Sequence, residues 1–446
     1  MTGKCAAKLT DEQRKNLKRD SLAYHAGNFP GNGKIEVVSK CPVRTFHHLS
    51  MAYTPGVAEP CREIARDPSK VFEYTAKANT VAVVTDGTAV LGLGDIGPEA
   101  GLPVMEGKCV LFKALAGVDA VPICLRTKDP DEIVRIVKAL EPSYGGINLE
   151  DISAPRCFDI EARLKKEMAI PVFHDDQHGT AVVSMAGLIN ALKVVGKKLA
   201  DVKVVVNGAG AAGIACSNFY LRTGARDVIL CDREGAIYTG RKTGMNPVKE
   251  EIALRTNRGG IQGKLADALK GADVFVGLSG PNLVTPAMVR SMASDSIVLA
   301  MSNPDPEIHP DDAKEAGARV VATGRSDFPN QINNVLGFPG IFRGALDAMA
   351  SDINHEMNAA ASAAIAGLIP DSELSEECII TTPIDPRAMV EEARAVARAA
   401  IETGVARRRV SPDWVAEHTR GLLAYQNACL DPLCDSRKMY KEPPLR

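Results

Sequence analysis

Aromatic residues are scarce in this sequence, and neither sign of charge is in excess. Phenylalanine, tyrosine and tryptophan make up 4% of the 446 residues, and the formal net charge is −2. A surface that binds nucleic acid usually combines basic patches with aromatic side chains that stack on bases. The composition therefore argues against a nucleic-acid partner.

Long apolar runs and clustered cysteines are also missing. No uncharged apolar run reaches the roughly 20 residues that cross a membrane, and the first twenty residues lack the apolar core of a secretory signal. The eleven cysteines are scattered without a Cys-x-x-Cys pair, so we expect reduced and mostly buried thiols. These absences predict a cytoplasmic protein that has no membrane partner.

The chain is long enough for more than one hydrophobic core. Short apolar runs alternate with helix-forming stretches, which predicts an α/β fold with parallel sheets. We expect an N-terminal α/β substrate domain over residues 1–170 and a doubly wound, Rossmann-like nucleotide domain with a helical tail over residues 171–446. The strand candidates are residues 81–85, 147–149, 169–173, 203–207, 227–231, 273–277, 296–301 and 319–322.

Shorter patterns predict individual elements through capping residues and turn residues. A glycine-rich stretch over residues 91–97 lacks the Gly-Lys-Ser/Thr ending of a phosphate-binding loop, so we expect it to allow close backbone approach. The other predicted elements are a helix that starts after Thr10, a strand over 35–38, a helix opened by Asp129, a helix that follows Thr180 and ends near Gly196, a helix over 388–401 and a frayed polar tail over 440–446.

A glycine-rich turn between a strand candidate and a helix candidate predicts a dinucleotide site. Gly208 allows a tight turn, Gly210 lets a pyrophosphate approach the backbone, and Gly213 lets the helix pack on the strand. Asp232 follows about 20 residues later, where an acid binds the ribose. Asp232 favours NAD, whereas the adjacent Arg233 could pair with the 2′-phosphate of NADP, so both cofactors stay open.

Two acidic pairs, each beside a short apolar run, predict a metal site. Adjacent carboxylates in such places need a cation, a hydrogen-bond network or solvent, although one acid could cap a helix while its neighbour faces water. Carboxylate oxygens suit Mg²⁺ or Mn²⁺. Histidines flank the second pair, but no cysteine ligand or His-Glu-x-x-His pattern supports zinc. The acids are Glu150, Asp151, Asp175 and Asp176.

Two further side chains each have two interpretations. Tyr53 lies beside a Pro-Gly turn, either presented at the edge of an element or packed in a core. Lys108 leads into an apolar segment, where half burial would depress its pKa and suit it as a base, but a surface lysine is the ordinary alternative. Paired amides near residues 330–334 suit carboxylate or carboxamide recognition, or simply an Asx-rich turn.

Several motifs together resemble the malic enzyme family, over most of the chain. They are residues 53–58 (Tyr-Thr-Pro-Gly-Val-Ala), 84–87 (Val-Thr-Asp-Gly), 91–95 (Leu-Gly-Leu-Gly-Asp), 150–151 (Glu-Asp), 173–180 (Phe-His-Asp-Asp-Gln-His-Gly-Thr), 302–304 (Ser-Asn-Pro) and 333–340, which opens with Asn-Asn and closes with Phe-Pro-Gly.

The resemblance implies oxidative decarboxylation of L-malate to pyruvate and CO₂ by a homodimer, with NAD or NADP and with Mg²⁺ or Mn²⁺. The residues that match the family by motif are Glu150, Asp151 and Asp176 as metal ligands, Lys108 as general base, Tyr53 as general acid, Asp175 as the acid that orients the lysine, Asn303, Asn333 and Asn334 as substrate contacts, and Asn303 and Asn333 also as nicotinamide contacts.

One position departs from the family pattern, and two other functions remain as alternatives. Larger malic enzymes place an arginine before the Leu-Gly-Leu-Gly-Asp loop, where this chain has Ala89, so no clamp for the second substrate carboxylate comes from there. A malolactic-type enzyme would show no net redox change. A non-catalytic nucleotide-binding regulatory protein is disfavoured by the joint presence of Lys108, Tyr53 and the three presumed metal ligands.

Overall fold

A computed structural model describes residues 11–27 and 33–436. The strands are β1 (Thr80–Thr85), β2 (Asp119–Cys124), β3 (Gly146–Leu149), β4 (Val172–His174), β5 (Lys203–Asn207), β6 (Asp227–Asp232), β7 (Gly235–Ala236), β8 (Val274–Gly277), β9 (Ile297–Ala300) and β10 (Val320–Thr323). Eight of these ten overlap strands that the sequence predicts; β2 and the two-residue β7 do not.

Helices cover much of the remaining chain. They are α1 (Asp11–Gly27), α2 (Phe46–Ala52), α3 (Ala58–Arg66), α4 (Val71–Tyr74), α5 (Pro98–Ala116), α6 (Pro130–Leu140), α7 (Arg156–Glu167), α8 (Asp175–Val195), α9 (Ala211–Thr223), α10 (Pro247–Ala253), α11 (Leu265–Leu269), α12 (Pro286–Arg290), α13 (Pro310–Glu315), α14 (Phe338–Asp347), α15 (His355–Ala366), α16 (Pro386–Glu402) and α17 (Pro412–Ser436). The predicted cap Thr10 and the polar tail 440–446 lie outside the described residues.

The first sheet has the order β2-β1-β3-β4, and every pair in it is parallel. Side chains of β1 alternate between the two faces, as the period of a strand requires. Val81 and Val83 pack in one core cluster with Phe112 of α5. Ala82 and Val84 pack in another, formed with residues of α6 and α7. Helices therefore cover both faces of this sheet.

The second sheet has the order β10-β9-β8-β5-β6-β7. All its pairs are parallel except the short pairing of β6 with β7. The chain winds outward from β5 in both directions, so the strand order reverses between β5 and β8. Ligands of doubly wound sheets bind at this switch point, beyond the carboxyl ends of the strands. The predicted α/β class with a Rossmann-like domain is confirmed.

Helix α8 joins the two sheets and begins earlier than the sequence predicts. It starts at Asp175, directly after β4, rather than after Thr180. Two carboxylates in the first turn stabilise the positive helix terminus, which explains the earlier start. The helix ends, as predicted, at Gly196, whose φ is 68°. Among the described residues, α8 is the one helix long and apolar enough to span a membrane, and most of its apolar stretch is buried inside the protein.

Other local predictions meet mixed outcomes. Asp129 caps α6, because its carboxylate accepts the Asp131 N–H at 3.0 Å. The alanine-rich helix over 388–401 lies within α16. The predicted strand over 35–38 is wrong: these residues form no strand in the described chain, and Val37 is fully exposed. A period of two cannot make a strand where no partner strand lies alongside.

The structure describes the side chains of eight cysteines. Four are buried, two are partly buried, and Cys41 and Cys61 are exposed. Most of these thiols are therefore at least partly buried, and their expected reduced state stays a prediction.

Candidate active site

Three carboxylates meet at the carboxyl edge of the first sheet. Glu150 and Asp151 follow β3, and Asp176 lies in the first turn of α8 after the neighbouring parallel strand β4. One ligand oxygen from each lies within 4.8 Å of the others. The Asp151 N–H also donates to Asp176 Oδ2 at 2.8 Å. The two acidic pairs that are separate in sequence therefore form one cluster.

The cluster fits a hard divalent cation. Burial and repulsion between the neighbouring acids raise the pKa of Glu150, Asp151 and Asp176. Asp151 Oδ2 is buried and has no hydrogen-bond partner among the described protein groups. Since carboxylates so close together repel one another, a cation between them would be strongly attracted. These oxygens are the ligand type that Mg²⁺ and Mn²⁺ prefer.

The nearby histidines do not extend the cluster. Burial lowers the pKa of His174 to about 4, so its ring is neutral near pH 7. His178 Nε2 lies 2.7 Å from Glu161 Oε1, so that ring nitrogen is paired with an acid outside the cluster. His174 Nδ1 lies 3.6 Å from Asp176 Oδ2, but among the described residues the group whose ligand atoms all lie within 4.8 Å of one another contains only the three carboxylates, which suit zinc less well than a set with imidazoles.

Lys108 lies in the middle of α5 and reaches the same cluster. Its Nζ is 2.6 Å from Asp175 Oδ2 and 2.9 Å from Glu150 Oε1. The ammonium also lies 4.2 Å from the centre of the Phe338 ring. The side chain is 8% exposed, so the surface-lysine alternative is wrong.

The expected direction of the Lys108 pKa is also wrong for these surroundings. Burial lowers the pKa of Lys108, but the adjacent Asp175 and Glu150 carboxylates outweigh burial and raise it above its usual value. With only the acids as neighbours, Lys108 is a protonated ammonium. Glu150 contacts Lys108 and is also a member of the acid cluster. A cation bound by the cluster would therefore compete with Lys108 for the Glu150 carboxylate.

Asp175 is fully buried and holds Lys108 in place. Burial raises its pKa to about 7, against the opposing effect of Lys108. A second donor, the Asn334 side-chain amide, bonds the same carboxylate oxygen. A Cβ at position 179 would lie 1.8 Å from Asp175 Oδ1, so Gly179 is needed for this packing. Asn334, a predicted substrate contact, is thus committed to Asp175.

The sequence analysis predicted no role for Asn148, which lies in β3 and hydrogen-bonds Glu150 of the acid cluster. Its Nδ2 donates to Glu150 Oε2 at 2.9 Å, inside the protein. The signal is visible in retrospect, because a polar side chain in the middle of a fully buried strand requires a partner.

The glycine-rich loop before α5 closes over the acids, as its predicted close approach requires. Gly87 has a φ of 71°, and a Cβ there would lie 2.3 Å from the Gly97 carbonyl. A Cβ on Gly92 would lie 3.1 Å from the Asn303 carbonyl oxygen of the second domain. The Ala89 N–H donates to the Asp151 carbonyl at 2.9 Å. Position 89 therefore contributes a backbone bond to the acid loop rather than a charged clamp.

The nucleotide turn has the geometry that its glycines predict. Gly208 has a φ of 121°, and a Cβ on it would lie 2.5 Å from the Leu278 carbonyl oxygen. A Cβ on Gly213 would lie 1.6 Å from the Gly208 carbonyl oxygen, so helix and turn touch there. A Cβ on Gly210 would have no neighbour within 4 Å, which leaves space above its backbone. An open backbone next to the N-terminus of α9 suits a pyrophosphate.

Asp232 ends β6 as predicted, but two cations already hold it. Arg241 Nη1 donates to Oδ1 at 2.8 Å, and Lys249 Nζ donates to Oδ2 at 2.6 Å. Burial raises the Asp232 pKa, but the hydrogen bonds from Arg241 and Lys249 outweigh it and lower the pKa to about 2. Arg233, the cation considered from the sequence, is not among these partners.

Comparison with known proteins identifies the family. The N-terminal domain of malic enzyme matches residues 32–165, and the malic enzyme NAD-binding domain matches residues 177–403. This chain belongs to the malic enzyme family. The resemblance seen in the sequence motifs is therefore confirmed.

The relatives match over nearly the whole chain. A protein of Bacillus subtilis named bifunctional malic/malolactic enzyme is 60% identical over 91% of this chain and 98% of its own length. An NAD-dependent malic enzyme of Geobacillus stearothermophilus is 59% identical over 88% of this chain and 81% of its own. The crystal structure of malic enzyme from Pyrococcus horikoshii is 49% identical, with a TM-score of 0.92 over 95% of this chain and 100% of its own.

The remaining predicted contacts, Asn303 and Asn333, lie in the segments that follow β9 and β10. Asn303 is exposed at the loop after β9 and precedes a cis proline. Asn333 is partly buried, and its side-chain oxygen accepts the Val335 N–H at 3.0 Å. The Asn303 amide lies against Gly324, where a Cβ would be 2.7 Å from Asn303 Nδ2, while Asn333 caps a short 3₁₀ helix.

Tyr53 is not joined to the site within one chain. It follows α2 and is 68% exposed, so the core-tyrosine alternative is wrong. Among the described residues, no hydrogen bond, ion pair or ring contact links its side chain to Lys108, Asp175 or the acid cluster. The structure thus brings Lys108 together with the acid cluster, but among the described residues it does not join Tyr53 to them.

Proposed function

We propose that this malic enzyme oxidises and decarboxylates L-malate to pyruvate and CO₂, reduces NAD or NADP, and requires Mg²⁺ or Mn²⁺. The observation that carries the proposal is Lys108, buried between Asp175 and Glu150, with Glu150 shared by the acid cluster. A base and a cation site that share one carboxylate can act on adjacent atoms of a 2-hydroxy acid. The assignments made from the sequence motifs stay predictions.

The reacting groups would divide the chemistry as follows. Glu150, Asp151 and Asp176 would hold the cation, which supplies Lewis acidity beside the substrate's C1 carboxylate and C2 oxygen. Lys108 would act as the neutral amine, after a cation bound at Glu150 has weakened its ion pair and its ammonium has released a proton to solvent. It would then take the C2 hydroxyl proton as hydride leaves for the nicotinamide, and Asp175 would hold the ammonium that results. Tyr53 would protonate C3 after CO₂ has left.

We propose residues 1–170 and 171–446 as the two functional units. Strand β4, residues 172–174, lies in the second of these and pairs with the first sheet. The catalytic cleft then lies between them, where Gly92 approaches Asn303. A cytoplasmic location, L-malate as the small-molecule substrate, and no nucleic-acid or membrane partner complete the proposal.

Absorbance of the reduced nicotinamide tests the proposed reaction. Purified protein would be mixed with L-malate and either NAD or NADP, with and without Mn²⁺. Accumulation of NADH or NADPH together with pyruvate, only when Mn²⁺ is present, is the expected result. Conversion of malate to lactate without accumulation would favour the malolactic alternative, which the name of the Bacillus subtilis relative keeps in view. Absence of both reactions would leave the regulatory alternative.

The pairing of Asp232 supports the use of either cofactor. Its carboxylate can accept the 2′-hydroxyl of NAD only in competition with Arg241 and Lys249. Two cations around one anion leave a net positive group, which tolerates the 2′-phosphate of NADP. Lys249, whose side chain is 17% exposed, is the more accessible cation of the two.

Lys249→Gln should shift cofactor preference toward NAD. Removing one charge frees Asp232 Oδ2 for a ribose hydroxyl and weakens attraction for a phosphate. We expect the ratio of kcat/KM for NADP to that for NAD to fall about tenfold, equivalent to about 1.4 kcal/mol. Steady-state kinetics with both cofactors measure the ratio. Lys270→Gln, which alters a lysine bonded to Asp267 at the surface, is the matched control and should leave the ratio unchanged. An unchanged ratio in Lys249→Gln would contradict the role.

We further propose a homodimer in which the partner subunit supplies Tyr53. Residues 35–57 carry a series of exposed apolar side chains, including Val37, Phe46 and Met51. Exposed apolar side chains concentrated in one segment are typical of a protein interface. Tyr53 lies within the same segment, and among the described residues no contact joins its side chain to Lys108 of the same chain. A second copy of the chain would cover the apolar segment, and the same contact would bring Tyr53 of the partner subunit to the site.

Complementation between two impaired variants, assayed at the Mn²⁺ concentration that half-saturates the wild type, tests the shared site. Tyr53→Phe and Asp176→Asn chains would be co-expressed with different tags, and the mixed dimer purified through both. In a symmetric dimer the mixed species would have one site with every group intact, so we expect about half of the wild-type activity.

The matched control pairs Asp175→Asn with Asp176→Asn. Both residues lie on the same helix of one chain, so no site in that mixed dimer is intact and no recovery is expected. Inactivity of the Tyr53→Phe and Asp176→Asn pair would show that Tyr53 acts within its own chain, and a monomer in sedimentation would exclude the dimer itself.

A further inference from the structure

A buried glutamate outside the acid cluster lies at the nucleotide end of the second sheet. Glu307 follows the loop after β9 and has no exposed surface. Its Oε1 accepts the Ser279 N–H at 3.1 Å, and its Oε2 accepts the Ser302 N–H at 3.1 Å. The catalytic steps proposed above make no use of this side chain.

The backbone N–H groups of Ser279 and Ser302 belong to loops that follow adjacent strands. Ser279 follows β8 and Ser302 follows β9, so one carboxylate ties both loops together. The Ser279 hydroxyl in turn accepts Asn207 Nδ2 at 2.8 Å, and Asn207 is the last residue of β5. Three strand ends are therefore linked across the switch point between β5 and β8, where a dinucleotide crosses a doubly wound sheet.

The surroundings of Glu307 fit only a side chain with two acceptors. Each oxygen faces a backbone N–H, whereas the amide of a glutamine would turn one NH₂ group toward a donor. Gly277 makes room for the carboxyl group, since a Cβ there would lie 2.3 Å from the Glu307 carboxyl carbon. Burial raises the pKa of Glu307, against the opposing effect of the two amides. A buried carboxylate stays ionised only where its hydrogen bonds offset the free-energy cost of removing it from water.

Position along the chain connects Glu307 to the cofactor. Ser302, which it holds, immediately precedes Asn303, a predicted nicotinamide contact. Ser279 is held next to Leu278, whose carbonyl lies against the Gly208 turn. Glu307 therefore fixes the backbone of two loops on the β8 side of the crevice, and Ser279 links them to Asn207 of β5 on the other side.

We propose that Glu307 is a positioning residue for the dinucleotide, setting the spacing between the Ser279 loop and the Ser302–Asn303 loop. The inference rests on the nucleotide part of the proposed function. Its test measures binding of NADH rather than turnover, so a failure of the malate reaction and a failure of this inference give different results.

The experiment compares Glu307→Gln with wild type in titrations of NADH followed by calorimetry. We expect NADH to bind at least tenfold more weakly, because both loops lose their common anchor. Mn²⁺ affinity, measured in the same preparations, should stay within twofold of wild type. A general loss of structure would weaken both ligands, so this contrast separates positioning from stability.

Glu392→Gln is the matched control. Glu392 is also fully buried, but neither of its oxygens has a hydrogen-bond partner among the described residues. Its substitution should leave NADH affinity unchanged. Wild-type NADH affinity in folded Glu307→Gln would overturn the proposal, as would equal weakening of NADH and Mn²⁺.

A second variant covers the case in which Glu307→Gln does not fold. Ser279→Ala removes the hydroxyl that joins the tied loop to Asn207 and leaves the backbone N–H in place. We then expect NADH to bind about threefold more weakly with unchanged Mn²⁺ affinity, and unchanged NADH affinity in this variant would overturn the proposal.

Discussion

Lys108→Ala should lower kcat for malate oxidation by about 10³-fold, within the range of about 10²–10⁴ found for general bases. The reason is geometric, because Lys108 is the one described side chain that reaches both Asp175 and Glu150 with a group able to carry a proton. NADH formation at saturating malate and Mn²⁺ measures the loss. Mn²⁺ affinity should not fall, since removal of a cation leaves the acids more negative.

Lys113→Ala is the control for the Lys108 substitution. Lys113 lies on the same helix, and its ammonium pairs with Asp119 at 2.7 Å in a partly exposed position. Its loss should change kcat by less than twofold. Because Lys108→Ala leaves two carboxylates buried without their cation, it should also be less stable. Lys108→Gln keeps most of the volume, and retention of more than a tenth of wild-type kcat in a folded Lys108 variant would contradict the role of base.

Although the residues are adjacent, Asp176→Asn should weaken Mn²⁺ binding, whereas Asp175→Asn should lower kcat. Asp176 offers an oxygen to the acid cluster, whereas Asp175 is committed to Lys108 and Asn334. Asp176→Asn should raise the Mn²⁺ concentration for half-maximal activity about 100-fold, as expected when a ligand loses its charge. Asp175→Asn should leave that concentration unchanged and lower kcat at saturating Mn²⁺ about 100-fold, since the base loses its orienting partner.

Calorimetric Mn²⁺ titrations of both variants check the division directly. Asp159→Asn, an exposed acid on α7 paired with Arg163, serves as the control and should match wild type in both quantities. Similar Mn²⁺ affinities and similar kcat values in Asp175→Asn and Asp176→Asn would show that the two acids share one role.

The cleft also depends on groups that touch neither substrate nor cofactor. Arg156 donates to Thr88 Oγ1 at 2.9 Å and pairs with the buried Asp86 at 3.0 Å. It therefore fixes the loop whose Ala89 N–H holds the Asp151 carbonyl. Such contacts are invisible in short motifs, because the residues that make them are far apart in the chain.

Local features of this protein were predictable from the sequence. The alternation of apolar runs predicts two parallel sheets, and Asp129 with Pro130 predicts the start of α6. The roles of Gly208 and Gly213 follow from backbone conformation and close approach, which depend on a few consecutive residues. The meeting of the two acidic pairs also follows, since the carboxyl ends of neighbouring parallel strands share one edge.

Electrostatic environment was decided only by the tertiary structure. Lys108 and Asp175 are separated by 67 residues in the chain, and their contact reverses the expected direction of the Lys108 pKa. Asp232 occupies its predicted place, but Arg241 and Lys249 neutralise it from positions that no spacing rule includes.

The sequence by itself determined the family, the fold class and the residue types at the strand ends, because backbone geometry and strand alternation are local properties. The resemblance already assigns Asp175 to the lysine and Asp176 to the cation. The tertiary structure alone decided that Glu150 contacts Lys108 as well as the acid cluster, that Asn334 bonds Asp175, and that no contact among the described residues joins Tyr53 to the site of its own chain. Charge and burial depend on every group that packs nearby, so side-chain roles emerge only when distant segments meet.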